Sequence, residues 1–204
     1  MFLMIDNYDS FVHNLVCYFQ SHGETMELVR NDKITPEKVN KLLEQGVLEG
    51  LILSPGPKSP QDCGSCKEIL MQVSGKIPVL GVCLGHQIIG HVFGAEVKKG
   101  IRPMHGKISK IFHNGKYLFH NLPQSYFVTR YHSLILSSEN FPDNLEIDAL
   151  SEDGVIMGIH HKVYPIYGVQ FHPEAVLTEY GYELLGNFIQ LCKGWNRNNE
   201  NKNR

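Results

Sequence analysis

The sequence lacks the long apolar runs and the charge imbalance that mark several classes of protein. No stretch approaches the roughly 18–20 consecutive apolar residues of a membrane-spanning helix. Lysine and arginine number 19 against 21 aspartates and glutamates, which gives a net charge of −2. So small a charge provides no field that would attract nucleic acid or an anionic membrane surface. We therefore expect no nucleic acid and no membrane among the partners of this chain.

Cysteine is also sparse, and its number is odd. Five cysteines in 204 residues argue against a disulfide framework and predict a reducing, cytoplasmic location. Cys63 and Cys66 have the spacing of a redox or zinc pair, but no second pair lies nearby in the sequence. We interpret them as incidental thiols, and we expect no metal site and no cofactor.

The first ninety residues alternate apolar strands with helices. Four short apolar segments predict buried strands at residues 2–5, 26–29, 50–53 and 79–82. Helices are predicted to begin near Ser10, Thr35 and Cys63, with Pro36 suited to a first helical turn. This alternation predicts a parallel sheet with helices on both faces. Because ligands bind such sheets at the carboxyl ends of the strands, the loops after the first, third and fourth strands should line one crevice.

After Gly94 the pattern changes to short strands joined by turns. The predicted strands are 95–97, 106–112, 126–130, 135–136, 145–150, 156–160 and 166–171. We interpret them as an antiparallel continuation, so the expected fold class is α/β with a mixed, mainly parallel sheet in one domain over 1–194. A last helix is predicted over 178–192, and the polar residues 195–204 are predicted to form a disordered tail.

The chemistry is expected to centre on Cys83, which is flanked by Gly81 and Gly85. Gly-x-nucleophile-x-Gly spacing suits a sharp strand-to-helix turn, where glycines let neighbouring backbone approach closely. A cysteine there lies at a helix N-terminus, whose free N–H groups and positive dipole end favour a thiolate. The alternative is that Cys83 is a small buried hydrophobic residue. A histidine and an acid at another strand end would favour the nucleophile.

The segment His172-Pro173-Glu174 supplies both groups. It follows the alternating apolar residues 166–171, so His172 should emerge at a strand end, and Pro173 should stop further strand pairing. Glu174 is close enough in the turn to orient the imidazole. Thiolate, imidazole and carboxylate are the three parts of an activated acyl-transfer nucleophile. His172 would take and return the proton, while Glu174 would fix the tautomer.

Six motifs occur along residues 1–192. They are GVCLGHQ (81–87), FHPE (171–174), IDNYDSF (5–11), SPGP (54–57), MHGK (104–107) and TRYHSL (129–134). The first two closely resemble the triad (class I) glutamine amidotransferases. The other four narrow the resemblance to component II, the small subunit of anthranilate synthase and of aminodeoxychorismate synthase. The resemblance implies a flavodoxin-like fold, the class I glutamine amidotransferase fold.

The resemblance also implies roles for residues at matching positions. Cys83 is implied as the nucleophile, His172 as the general base and acid, and Glu174 as its partner. The backbone N–H groups of Gly56 and Leu84 are implied as the oxyanion hole. The implied glutamine-binding positions are Gly56, Pro57, Lys58, Gln87, Ser133 and Leu134. Many family members have glycine where this chain has Lys58, so the Lys58 side chain alters that part of the pocket.

The function that the resemblance implies is that of a glutaminase subunit. It would hydrolyse L-glutamine to glutamate and ammonia, and a chorismate-using synthase subunit (component I) would take up the ammonia. The product would be 4-amino-4-deoxychorismate for folate, anthranilate for tryptophan, or both. Three alternatives stay open: a glutaminase subunit of another amidotransfer pathway, a stand-alone cysteine hydrolase of γ-glutamyl substrates, and a non-catalytic scaffold subunit.

Overall fold

The computed structural model describes residues 1–202, with side chains through residue 198. The strands in this range are β1 (Phe2–Asp6), β2 (Met26–Arg30), β3 (Gly50–Leu53), β4 (Val79–Val82), β5 (Val97–Lys99), β6 (Lys107–His113), β7 (Ser125–Arg130), β8 (Leu134–Leu136), β9 (Leu145–Ser151), β10 (Ile156–His161) and β11 (Ile166–Val169). The helices are α1 (Val12–Ser21), α2 (Pro36–Glu44), α3 (Cys66–Val73), α4 (Leu84–Val92) and α5 (Gly181–Lys202).

Five strands form the parallel half of the central sheet. They lie in the order β2-β1-β3-β4-β11, and each pairs in parallel with its neighbours. The carboxyl ends of these parallel strands therefore meet at one edge of the sheet. The predicted parallel sheet built from alternating strands and helices is confirmed.

The antiparallel half continues from β11 in the order β10-β9-β6-β7. The predicted antiparallel extension is confirmed for these four strands but is wrong for residues 166–171. Of these, Ile166–Val169 form β11, which pairs in parallel with β4. All four residues of β11 are buried, as suits a central strand covered on both faces. β5 and β8 leave the main sheet and form a separate two-stranded ribbon.

Successive residues of β1 enter two different cores, one on each face of the sheet. Phe2 packs with Phe19 of α1 and Phe188 of α5, at ring-centroid distances of 5.3 and 6.3 Å. Leu3 belongs to the opposite core with Ile69 of α3. Full burial of each such side chain contributes roughly 1.5–3 kcal/mol relative to exposure. Helices packed on both faces hold the sheet, and hence the strand ends, in fixed positions.

Two helix starts show how local chemistry sets the element bounds. α2 begins as predicted, because Thr35 Oγ1 accepts a hydrogen bond from the Lys38 amide at 3.3 Å. α1 begins at Val12, two residues after the start predicted near Ser10, and no side chain caps its N-terminus. The turn before the helix is held by Asp9. Its carboxylate accepts from the Phe11 amide at 2.7 Å.

The last helix is longer than predicted, because α5 runs from Gly181 to Lys202 rather than ending at residue 192. The prediction of a disordered tail over 195–204 is therefore wrong for residues 195–202, and residues 203–204 lie outside the described range. Trp195 Nε1 donates to the Lys76 carbonyl at 3.2 Å, and Asn196 donates to the Glu49 carbonyl at 3.4 Å. These tertiary contacts hold a polar sequence in the helix.

Candidate active site

Cys83 lies in a strained turn between β4 and α4. Its φ and ψ angles are 52° and −100°, a conformation that few non-glycine residues adopt. A Cβ atom on Gly81 would stand 2.4 Å from the Gly85 backbone. A Cβ atom on Gly85 would stand 2.1 Å from the Leu53 carbonyl oxygen of β3. The two flanking glycines are thus required by close backbone approach, as the sequence predicts.

His172 and Glu174 follow β11, the parallel neighbour of β4. His172 Nδ1 lies 2.6 Å from Glu174 Oε1, and both side chains are buried. This contact makes Nδ1 the donor and leaves Nε2 as the nitrogen for proton exchange. Among the described residues, His172 Nε2 and Glu174 Oε2 make no hydrogen bond. When no substrate is bound, the donor–acceptor distances of catalytic hydrogen bonds are often longer than ideal.

The neighbours of His172 change its pKa in opposite directions. Burial by itself would lower the pKa, because it disfavours the charged ring. The negative charge of a Cys83 thiolate and the contact with Glu174 outweigh burial, and they raise the pKa well above its usual value of 6.5. A thiolate at Cys83 would thus favour the imidazolium form of His172.

A cavity of about 140 Å³ opens beside the sulfur. Its lining joins the loop after β3, the turn after β4 and the segment between β7 and β8. The lining residues are Gly56, Pro57, Lys58, Cys83, Leu84, Gln87, Tyr131, His132, Ser133 and Leu134. Every predicted glutamine-binding and oxyanion-hole residue is in this set. The structure therefore brings these residues together with the thiol at one edge of the sheet.

Two backbone amides of this cavity suit an oxyanion. Leu84 follows Cys83 at the start of α4, and Gly56 lies in the loop after β3. Within residues 1–202, neither amide N–H donates a hydrogen bond. A Cβ atom on Gly56 would stand 2.4 Å from the Asn7 carbonyl oxygen, so only glycine allows the loop to lie this close to β1.

Gln87 presents its acceptor rather than its donors to the cavity. Its Nε2 donates to the Leu134 carbonyl at 2.9 Å and to Gln170 Oε1 at 3.1 Å. Both amide hydrogens are thereby used inside the protein, and Oε1 is left for a ligand. An acceptor of this kind suits an ammonium or amide N–H donor.

Three polar residues at or near the cavity, Gln170, Arg130 and His132, are not among the site residues that the sequence predicts. Gln170, completely buried, donates to Cys83 Sγ at 3.7 Å. Arg130 donates to His132 Nε2 at 3.1 Å, and His132 Nδ1 donates to the Leu134 carbonyl at 3.0 Å. A polar glutamine two residues before His172, among apolar strand neighbours, is the signal that could have revealed Gln170. Nothing in the local pattern around Arg130 indicates that it would be buried.

A second cavity, of about 230 Å³, adjoins His172. It is lined by Phe11, Asn14, Thr129, Tyr131, His172, Glu174, Ala175, Val176 and Leu177. Tyr131 borders both cavities, and its ring centroid lies 5.2 Å from that of His172. Several apolar side chains at the rim of the second cavity are exposed: Val176 by 92%, Leu177 by 60% and Phe11 by 45%.

Other features of the described residues lie away from this chemistry. The cavity of about 980 Å³ between α2 and α5 contains none of the predicted site residues. Cys63 and Cys66 are buried free thiols, and Cys66 donates to Asn7 Oδ1 at 3.3 Å. Among residues 1–202, no cluster of three or more histidine, cysteine or acidic side chains is arranged to hold a metal ion. No helix in the same range is long and apolar enough to cross a membrane.

The fold and the site together define a class of protein. A parallel α/β sheet carries a cysteine, a histidine and a glutamate at its carboxyl edge, which is the arrangement of acyl-transfer enzymes with a cysteine nucleophile. Residues 3–191 match the model of the family described as Glutamine amidotransferase class-I. The chain belongs to this family.

Similar proteins have closely related names. Anthranilate synthase component 2 of Cyanophora paradoxa is 50% identical over 190 residues, which cover 93% of this chain and 98% of that protein. Aminodeoxychorismate/anthranilate synthase component 2 of Bacillus subtilis is 47% identical, and the match covers 95% of this chain and 97% of that protein. A solved structure from Thermoplasma acidophilum, provisionally described as a GMP synthase subunit, superposes with a TM-score of 0.86. It is 29% identical, and the match covers 98% of this chain and 96% of that chain.

Proposed function

We propose that this chain is a glutaminase subunit that hydrolyses L-glutamine to glutamate and ammonia. The observation that carries the proposal is the cavity beside Cys83, which is bordered by two free backbone amides, together with the buried His172–Glu174 pair on the neighbouring strand. Its domain is proposed to span residues 1–194, and the five free cysteines support a reducing, cytoplasmic setting.

In the first half-reaction the Cys83 thiolate attacks the side-chain carboxamide carbon of glutamine. A C–S bond forms, and the carbonyl electron pair moves to oxygen, which the Gly56 and Leu84 amides stabilise. The His172 imidazolium then gives its proton to the amide nitrogen, the C–N bond breaks, and ammonia leaves. The product on the enzyme is a γ-glutamyl thioester. Glu174 holds the imidazole in the required tautomer throughout.

In the second half-reaction water attacks the thioester carbonyl. His172 takes a proton from the water, the C–S bond breaks, and the electron pair remains on sulfur as glutamate departs. Loss of one oxyanion donor should cost about 3–4 kcal/mol of transition-state stabilisation. Loss of the thiol should abolish nearly all turnover.

We further propose that the ammonia passes to a chorismate-using synthase subunit. Relatives named as component 2 of anthranilate and aminodeoxychorismate synthases support this partner and leave both products possible. The second cavity also supports it, because it adjoins His172 and opens among exposed apolar side chains. A partner that covers this rim would shield ammonia from solvent.

The test is ammonia release from glutamine by the native chain and by Cys83→Ala, each with and without chorismate and its synthase (component I). We expect release that increases with the partner and disappears in Cys83→Ala. Cys17→Ala is the matched control, because Cys17 is an exposed thiol on α1. The aromatic product formed, anthranilate or 4-amino-4-deoxychorismate, identifies the pathway. Absence of release under every condition, or full release by Cys83→Ala, would overturn the proposal.

A further inference from the structure

The Gln170 side chain touches the proposed nucleophile but has no part in the two half-reactions. It follows β11 directly, lies two residues before His172, and is completely buried. Its Nε2 is 3.7 Å from Cys83 Sγ, within hydrogen-bonding distance for a sulfur acceptor. A buried amide in this position needs partners for its oxygen and for its NH₂ group.

The neighbours of Gln170 fix which end of its amide faces the sulfur. Gln87 Nε2 stands 2.9 Å from the Leu134 carbonyl and 3.1 Å from the oxygen of Gln170. The Leu134 carbonyl can only accept, so Gln87 must direct its NH₂ group at this side of the cavity. Gln170 therefore turns its oxygen toward Gln87 and its N–H toward Cys83.

We propose that Gln170 is a catalytic residue of the glutaminase site, where its amide N–H donates to Cys83 Sγ whenever the sulfur carries negative charge. This role rests on the proposed function for its effect on turnover. The sulfur carries negative charge when the attacking thiolate forms and again when the thioester C–S bond breaks and the electron pair returns to sulfur. Cys83 is only 5% exposed, so few water molecules can reach that charge once glutamine fills the cavity, and a protein donor takes their place.

Gln170 differs from His172 in that the charge of the Gln170 side chain does not change during the reaction. His172 gains and loses a proton in each half-reaction, and its attraction for the sulfur changes accordingly. The Gln170 amide remains a neutral donor at every step. The thiolate thus has one partner that exchanges protons and a second that only stabilises charge.

The test measures alkylation of Cys83 by iodoacetamide as a function of pH, because only the thiolate reacts. Peptide mass spectrometry separates Cys83 from the other cysteines, and exposed Cys17 serves as a reference in the same sample. Gln170→Glu keeps the shape and the acceptor for Gln87 but replaces the donor with a negative charge, and Gln170→Met removes donor and acceptor without adding charge. We expect Cys83 in both variants to be alkylated roughly tenfold more slowly near pH 7. The pH of half-maximal rate should rise, and kcat should fall more than KM changes.

Gln72→Met is the matched control, because Gln72 is a partly buried glutamine of α3 that donates to the Pro36 carbonyl. It should leave Cys83 alkylation unchanged. The neutral Gln170→Met decides the question, because the carboxylate of Gln170→Glu would by itself repel a thiolate. A native pH profile of Cys83 alkylation in Gln170→Met would overturn the proposal. Ammonia release by the native chain is measured separately. If Cys83 alkylation is slowed in Gln170→Met but the native chain releases no ammonia, only the glutaminase proposal is refuted.

Discussion

At the scale of single residues, the protonation of His172 depends directly on the atom beside it. Removing the sulfur in Cys83→Ala takes away the charge that favours the imidazolium, whereas burial, which lowers the pKa, remains. The pKa of His172 should therefore fall in this variant. The measurement is the pH titration of the His172 ring resonances by NMR, with exposed His13 as the internal reference. An unchanged His172 midpoint would show that Cys83 does not act on the ring.

Lys58 carries backbone strain that a glycine would relieve. Its φ is 70°, in the left-handed region where a side chain costs about 1 kcal/mol. Lys58→Gly should therefore raise the free energy of unfolding by about 1 kcal/mol, as measured by urea denaturation followed through the fluorescence of Trp195.

Lys76→Gly is the control for that change, since Lys76 is an exposed turn residue outside the left-handed region. There glycine only increases the freedom of the unfolded chain, so the protein should become less stable. Equal effects at both positions would contradict the strain at Lys58.

At the scale of elements, α4 buries a histidine that cannot readily accept a proton. His86 is completely buried, and among the described residues neither ring nitrogen has a hydrogen-bond partner. Burial lowers its pKa to about 3, and the charge of His132 acts in the same direction. Between pH 6.5 and 3 the unfolded chain therefore binds a proton that the folded chain excludes. Stability is retained above this range and lost as the pH falls through it.

His86→Leu should reduce the loss of stability at low pH. One such group accounts for on the order of 2 kcal/mol of unfolding free energy between about pH 7.5 and pH 5. We expect the difference in stability between these two pH values to shrink by this amount. Some dependence should remain, because burial also lowers the pKa of His132 to about 4.

The exposed His13 of α1 offers the matched control, His13→Leu, which should keep the native difference. Urea unfolding at both pH values measures the effect. If His86→Leu loses as much stability between about pH 7.5 and pH 5 as the native chain does, His86 is not the source of that loss.

At the scale of the whole molecule, the apolar rim beside His172 is expected to act in partner docking. Val176→Asp and Leu177→Asp place a charge on side chains that are exposed by 92% and 60%. Burying that charge in an interface is costly, so stimulation of ammonia release by component I should fall at least about tenfold. Val163→Asp is the control, at an exposed apolar position in the turn between β10 and β11. Undiminished stimulation by both rim variants would place the interface elsewhere.

The parts of the fold that were predictable are those with a strong local signal. β3 occupies the predicted residues 50–53, and Thr35-Pro36 marks the start of α2, because apolar runs and capping residues act within a few positions. The parallel pairing of β11 with β4 was not predictable, since a four-residue apolar strand does not specify its neighbour. The extension of α5 to Lys202 depends on Trp195 and Asn196 contacts with distant carbonyl groups.

By itself, the sequence was enough to predict which groups react. Two glycines around Cys83 and the segment His172-Pro173-Glu174 have spacings that only a tight turn and a strand end satisfy, so chemistry and local geometry are encoded together. The tertiary structure decided how Gln170, Gln87 and Arg130 are used. Gln170 bonds with Gln87 and Cys83, and Arg130 donates to Ser109 of β6. These partners are far apart in the chain, and strand order and packing alone bring them within a few ångströms of one another.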